Sequence, residues 1–342
     1  MPSGDSEGKI TLGHGSGGAM MQQLIAEELL PALPGQLPDA LEDAATFSLP
    51  AQRLAFTTDS FTVKPLIFPG GDIGSLAVHG TVNDLAMRGA MPRFLSLGLI
   101  IEEGLSMDLL RRIVRSAGEA ARNCDVGIVA GDTKVVERGS ADGLFINTSG
   151  VGLIQEGRRL GAEAIRPGDA VLVSGTLADH GVAVMSRREG LAFEAAVASD
   201  VAPLWPLAER LLAASPHLRA LKDPTRGGLA AAVNELAEAA GVGMRIEEAR
   251  VPVRPAVAGA CDVLGLDVLT VANEGKFVVV VPADEAEAAL EAMRGHPLGR
   301  EAARIGEVLP APARGPRVTL RTRIGGERVL EMPYGEDLPR IC

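Results

Sequence analysis

The sequence predicts a two-domain α/β (α+β) protein, and two observations carry that reading. Short apolar strands alternate with amphipathic helices along most of the chain. The apolar content comes from Ala, Val, Leu and Gly, while aromatic residues make up only 3%. Cores of small branched side chains suit sheets layered with helices, and 342 residues are enough to fill two of them.

Taken in order, residues 1–40 read as a Gly-rich arm. Ile10–Leu12 has strand character, a glycine-rich turn follows, and 19–30 carries a helical apolar period. The Pro-rich stretch PALPGQLPDALEDAA separates this arm from a first domain, 41–160. There the pattern predicts strands at 54–58, 94–101, 126–130 and 144–153, with helices at 73–88 and 106–122. The turn chemistry of Ile165-Arg166-Pro167-Gly168-Asp169 opens a second domain, 165–333. Its strands are expected at 170–174, near Met244, at 277–281 and beyond Arg304. Its helices are expected at 180–188, 203–214, 228–240, 252–263 and 284–295. The ending MPYGEDLPRIC has no periodicity, so 334–342 is expected to be a flexible, exposed tail bearing Cys342.

Charge and composition exclude several function classes. Thirty-three basic against 44 acidic residues give a net charge of −11, which disfavours nucleic acid. No run reaches the roughly 20 apolar residues of a membrane span, and the first residues lack the apolar core of a secretory signal. A cytoplasmic protein is expected. The three cysteines, Cys124, Cys261 and Cys342, fit a reducing compartment, and the five histidines show no zinc-binding spacing.

The segment Gly13-His14-Gly15-Ser16-Gly17-Gly18 satisfies G-x-G-x-x-G, but the Pro-rich stretch stands where a dinucleotide fold needs its second strand. Backbone N–H groups from Gly15, Gly17 and Gly18 remain a phosphate cradle; a plain flexible turn is the alternative. More informative are carboxylates at the ends of apolar strands or within apolar helices: Asp43, Asp59, Asp84 and Asp132. Each alone reads as an ordinary cap or turn. Four in one domain point to a Mg²⁺–nucleotide site, because isolated carboxylates among apolar segments are costly unless paired or metal-bound. Lys134 follows Asp132 by two residues, so an extended chain puts both on one face. Arg226, in Asp223-Pro224-Thr225-Arg226-Gly227-Gly228, stands at a predicted helix start and suits an anion. Glu274 is a general base if desolvated, otherwise a turn residue. Cys342 is unhindered at the end of its tail, and an incidental surface cysteine is the alternative.

These segments resemble the HypE family of hydrogenase maturation factors, within the PurM-like superfamily of aminoimidazole ribonucleotide synthetase, selenophosphate synthetase and thiamine monophosphate kinase. HGSGG, TTDSFTVKP, FPGGDIGSLAVHGTVNDLAMRGA, GDTKVVERG, GDAVLVSGTLADHG, KDPTRGGL, VANEGK and PRIC carry the resemblance from His14 to Cys342. It implies a homodimer whose N-terminal sheets pair. It implies ATP and Mg²⁺ held by Asp43, Asp59, Asp84 and Asp132, with Gly15, Gly17, Gly18 and Arg226 on phosphates. A carbamoyl group loaded onto Cys342 by the carbamoyltransferase HypF is dehydrated to a thiocyanate, with Lys134 and Glu274 handling the amide protons. The cyanide then passes to iron on the HypC–HypD complex for [NiFe]-hydrogenase. A sister synthetase or kinase, or a non-enzymatic maturation scaffold, are the competing readings.

Overall fold

The structure, a computed structural model, describes residues 9–11, 14, 23–33, 53–190, 197–314, 317–333 and 340–342. The N-terminal domain is a four-stranded sheet packed on two helices. Its elements are β1 (Arg53–Phe61), α1 (Ile73–Met87), β2 (Ala90–Glu102), α2 (Met107–Asn123), β3 (Gly127–Val136) and β4 (Leu144–Ile154), with strand order β1-β4-β2-β3. Only the β2–β3 pair is parallel, and α2 makes that crossover. Alternate residues of each strand, among them Leu95, Leu97, Leu99, Ile128 and Ile146, bury one face against Leu76, Leu110 and Ile113.

A capping box starts α1. The Asp72 carboxylate accepts the Ser75 N–H at 2.9 Å, and the Ser75 hydroxyl accepts the Asp72 N–H at 3.1 Å. Gly74 lets α2 approach, since a Cβ there would lie 2.3 Å from the Ile113 carbonyl oxygen.

Among the described residues, no helix covers the other face of the sheet. It exposes Phe56, Leu54 and Ile100, with Phe56 70% accessible.

The second domain contains β5 (Ala170–Val173), α3 (Asp179–Glu189), α4 (Trp205–Ala214), β6 (Ala220–Lys222), α5 (Gly228–Ala240), β7 (Gly243–Glu247), α6 (Pro255–Leu264), β8 (Val278–Val281), α7 (Ala286–Arg294), β9 (Ala303–Leu309), β10 (Val318–Arg321) and β11 (Glu327–Val329). The sheet runs β11-β10-β7-β9-β5-β8-β6. β5 and β8 are buried along their whole length, as their unbroken apolar runs require. On one face Val171, Val173 and Val278 pack with Leu229 and Val233 of α5; on the other, Leu172 and Val279 pack with Leu207 of α4 and Leu290 of α7.

The two domains are stitched by Asn83 of α1. Its amide donates to the carbonyls of Ala202 and Glu274, both at 3.0 Å, and its oxygen accepts the Leu204 N–H at 2.8 Å.

Four expectations need correction. Ile10 lies in no strand; Lys9 and Ser106 form a single bridge that holds the arm. The arm's helix is, over the described residues, a π-helical segment at Leu24–Leu29. The strand expected to stop at Ala130 continues to Val136, so Asp132 stands mid-strand rather than at a strand end. The end of the tail is not exposed, because Ile341 is only 2% accessible. The helix–helix contact yields a test. Gly74→Ala should lower unfolding stability by about 1–3 kcal/mol, the usual cost of overpacking, measured by urea denaturation.

Candidate active site

β1 brings Asp59 to the helix-covered side of the sheet, where α1 presents Asp84 about one turn beyond Gly80. Gly80 is there because the Phe61 ring and Asp59 pack over it; a Cβ would stand 2.8 Å from the ring. The Thr57 hydroxyl donates to Asp84 at 2.7 Å. Across the domain boundary, β6 runs into Lys222, Asp223 and Arg226, and the turn Asn273–Lys276 enters just before β8. A cleft of about 420 Å³ lies between the domains, lined among others by Thr57, Asp84, Lys222 and Asp223.

The electrostatics of this junction are unbalanced. Desolvation raises the Asp59 carboxyl pKa, offset by the Ser60 N–H and Arg226. Desolvation likewise raises Asp84, with Asp59 adding to the rise and Thr57, Lys222 and Arg226 opposing it. Burial, then the charge of Asp84, pushes Asp223 up to about 7. Glu274 is raised well above the usual carboxyl range, first by burial and then by Asp223, Asp200, Asp59 and Asp84. It is 3% accessible, and its Oε1 has no hydrogen-bond partner among the described residues. The reading of Glu274 as a mere turn residue is set aside, since it stands at a turn but holds its carboxyl out of water.

Four carboxyls crowded with too few cations suit a divalent cation and the phosphates it carries. Among the described residues no three such side chains form a ready metal cage. That fits Mg²⁺ on a nucleotide, which takes one or two protein carboxylates and completes its shell with phosphate and water.

The last three residues dock just past the end of β1, the strand that carries Asp59. The Thr62 N–H donates to the main-chain oxygen of Cys342 at 3.0 Å, and the Lys64 N–H to that of Arg340 at 3.2 Å. Ile341 sits in the apolar core, and its carbonyl lies 2.8 Å from His180 Nε2. Arg188 donates to the Arg340 carbonyl at 2.7 Å. The Arg340 guanidinium pairs with Asp142 and lies 5.4 Å from the Phe145 ring centroid. Cys342 is half-buried, reached through Thr62, three residues beyond Asp59 on the same chain segment.

Asp132 and Lys134 share a face as expected, 3.8 Å apart, but that face is the uncovered one. They are paired in register with Gly98 and Ile100 on β2, and both are about two-thirds exposed. β3 is also the sheet edge opposite β1, roughly 14 Å away at 4.8 Å per strand. One chain therefore brings together Asp59, Asp84, Arg226 and Glu274, docks the Cys342 main chain on Thr62 just past the end of β1, and leaves Asp132 and Lys134 outside the group. Gly15, Gly17, Gly18 and Asp43 lie outside the described residues.

Sequence reasoning missed several members of the site. Asn273 is fully buried and fastens three segments: its oxygen accepts the Ala178 N–H at 2.7 Å, and its amide donates to Pro224 and Val271 at 2.9 and 3.0 Å. Ala178 accordingly holds a left-handed φ of 71° just before α3. Asn83, His180, Asp200 and Lys276 were also missed. The one signal for them was polar side chains inside apolar runs: Asn83 in HGTVNDLAM and Asn273 with Lys276 in VANEGKFVVVV.

Comparison with known proteins covers both domains. The AIR synthase related protein N-terminal domain matches residues 41–154, and the corresponding C-terminal domain matches 166–318. Carbamoyl dehydratase HypE of Azotobacter vinelandii is 52% identical over 335 residues, 98% of each chain. A crystal structure of hydrogenase maturation protein HypE in complex with ATP superposes with a TM-score of 0.93 at 48% identity, covering 97% of this chain and 99% of that one. A chain of a HypE–HypF complex matches with a TM-score of 0.79 at 49% identity, over 92% of this chain and all of that one.

The raised pKa of Asp223 sets a pH-dependent cost. Its folded-state value lies above the unfolded one, so the stability tied to its protonated form is complete below about pH 4 and is lost as pH rises to 7. In protein free of nucleotide and divalent cations, the stability of Asp223→Asn relative to the parent protein should therefore rise between pH 4 and pH 8, by up to about 4 kcal/mol. Urea midpoints at the two pH values check this.

Proposed function

The chain belongs to the HypE family of carbamoyl dehydratases, and we propose that it uses ATP to dehydrate a carbamoyl group carried on the thiol of Cys342, leaving a thiocyanate. The observation that carries this reading is the docked tail. A surface thiol of no consequence has no reason to be drawn in by main-chain bonds and packed on the core just past the end of the strand that carries Asp59. The relative solved with ATP supports the nucleotide, and the HypE–HypF complex supports HypF as the partner that loads the thiol. The cyanide then goes to iron on HypC–HypD, in building the [NiFe]-hydrogenase centre.

The chemistry follows from leaving-group ability. The carbamoyl oxygen attacks the γ-phosphorus, and the bond to ADP breaks. Two protons leave the nitrogen, and the C–O bond breaks with its oxygen departing in phosphate, which leaves C≡N on sulfur. The protein's task is positioning and charge neutralisation. Asp59 and Asp84, with Asp43, hold Mg²⁺-ATP; Gly15, Gly17, Gly18 and Arg226 take phosphate oxygens. Bound Mg²⁺ supplies charge neutralisation at the phosphates. Glu274, kept out of water, accepts a proton from the nitrogen, since burial makes its carboxylate a stronger base.

Lys134 and Asp132 enter from a second copy. They stand on the uncovered face and on the far edge from β1, and the apolar side chains Phe56, Leu54 and Ile100 give that face a reason to be covered. A homodimer that pairs these sheets would set one chain's β3 beside the other's β1, an edge strand, so that Lys134 reaches Asp59 round that edge.

Intact mass spectrometry of carbamoylated protein given Mg²⁺-ATP should show loss of one water. An unchanged mass leaves only a docking scaffold. Cys342→Ala should take up no carbamoyl group, and Lys134→Ala should fold normally and dehydrate at least about 100-fold more slowly. Mixing Lys134→Ala with Cys342→Ala subunits should restore about one quarter of wild-type turnover. Half of random dimers are mixed, and each has one complete site. No recovery on mixing places Lys134 in the same chain as its thiol.

A further inference from the structure

Ser199 and Asp200 are adjacent in the loop that leads into α4, and neither belongs to a motif of the sequence. Their side chains reach two different parts of the site. Ser199 Oγ lies 2.8 Å from His180 Nδ1 and accepts the Val201 N–H at 3.1 Å. The Ile341 carbonyl can only accept, so His180 Nε2 carries the proton, and Nδ1 takes the Ser199 hydroxyl proton. Asp200 Oδ1 accepts the Glu274 N–H at 3.1 Å, and its Oδ2 accepts Lys276 Nζ at 3.1 Å. One residue thus orients the histidine on the carrier tail. The next holds both sides of the turn that bears Glu274.

The surroundings are shaped around this dipeptide. The Ser199 N–H donates to the Pro69 carbonyl at 2.8 Å. A Cβ on Gly70, whose φ is +90°, would stand 2.8 Å from Ser199 main-chain atoms, and one on Gly275 would stand 1.8 Å from the Asp200 carbonyl oxygen. A Cβ on Gly175 would strike the Lys276 stem at 2.8 Å. The Lys276–Asp200 pair is less than 10% accessible on both sides. A buried ion pair adds little net stability over an apolar pair of the same volume, so stability alone does not account for it.

We propose that Ser199 and Asp200 are positioning residues for the dehydration, referring the thiol-bearing tail and the Glu274 turn to one rigid dipeptide. The proposal rests on the reading of Cys342 and Glu274 given above. The sub-ångström register between carrier and base is then set by a single peptide unit instead of by the distance between two domains.

The test uses full-length protein, carbamoylated beforehand, in single turnover followed by intact mass. Alongside it, Cys342 alkylation by iodoacetamide in uncarbamoylated protein reports tail docking, and ATP affinity and melting temperature report the rest. Asp200→Ala should slow dehydration about 100-fold, with ATP affinity and alkylation unchanged. Asp200→Asn keeps an oxygen for the Glu274 N–H and should stay within about tenfold of wild type. Ser199→Ala should speed alkylation about fivefold, the loss of one hydrogen bond on the latch. A near wild-type rate in Asp200→Ala overturns the proposal. So do losses in melting temperature and ATP affinity that match the loss in rate. Ser199→Ala removes one hydroxyl and tolerates folding, so unchanged alkylation in that variant also overturns it, even if Asp200→Ala does not fold. Full turnover in Glu274→Gln removes the base from the underlying reading while leaving the alkylation result to be judged by itself.

Discussion

The site depends on keeping one carboxylate out of water. Glu274 is buried at the junction of two domains, with Asp59, Asp84, Asp200 and Asp223 all close enough to oppose its ionisation. Such a group is costly, and the fold holds it in place through its main chain instead of neutralising its side chain. Asn83 takes its carbonyl, Asp200 takes its N–H, and Asn273 beside it is fully used by three segments. Among the described residues its Oε1 has no partner. An unpaired buried acceptor is a poor structural element and a good base, which is the sense in which burial serves the proposed chemistry.

The tail is recognised by the same economy. Five hydrogen bonds go to main-chain oxygens of Arg340, Ile341 and Cys342, and the Arg340 and Ile341 side chains add anchoring. Main-chain bonds fix the path of the last residues whatever the side chain carries. In the proposed reaction, the approach of the Cys342 sulfur therefore stays constant as the group on it changes. His180, buried and held neutral by desolvation, makes one of these bonds; a charged ring there would have no acceptor for its second proton except the Ser199 hydroxyl.

Much of the fold was legible in sequence because its signals are local. Helices α1 and α2 and strands β2 and β4 fall within a few residues of where apolar periodicity puts them, and the Pro-Gly turn at 167–168 marks the domain boundary. β6, β10 and β11 were lost because three or four residues carry too little alternation to register. β3 was cut short because the polar run Gly131–Lys134 looks like a strand end, whereas that face of the sheet is simply uncovered. Within the site, Asp59, Asp84 and Glu274 stood out as acids among apolar neighbours. Asp200 did not, since ASDVAPL reads as loop, and its importance comes from contacts 74 and 76 residues away that no local pattern encodes. The tail was read as exposed because it has no periodicity. It docks through backbone hydrogen bonds, which composition does not reveal.

The placement of Asp132 and Lys134 is the step at which a single chain ceases to be a sufficient description. Alternation along β3 fixes them to the face opposite Thr133, which is buried. No side-chain rotation carries them through a sheet, and three strand spacings separate them from β1. The same alternation puts Phe56 and Ile100 on their face, so the residues that need a partner for solubility and those that need one for chemistry lie together. In the proposed pairing, a lysine would come round the β1 edge to a carboxylate cluster that has only Lys222 and Arg226 to oppose its charge. In the proposed assembly, dimerisation and completion of the site are one event, governed by the two-residue period of a β-strand.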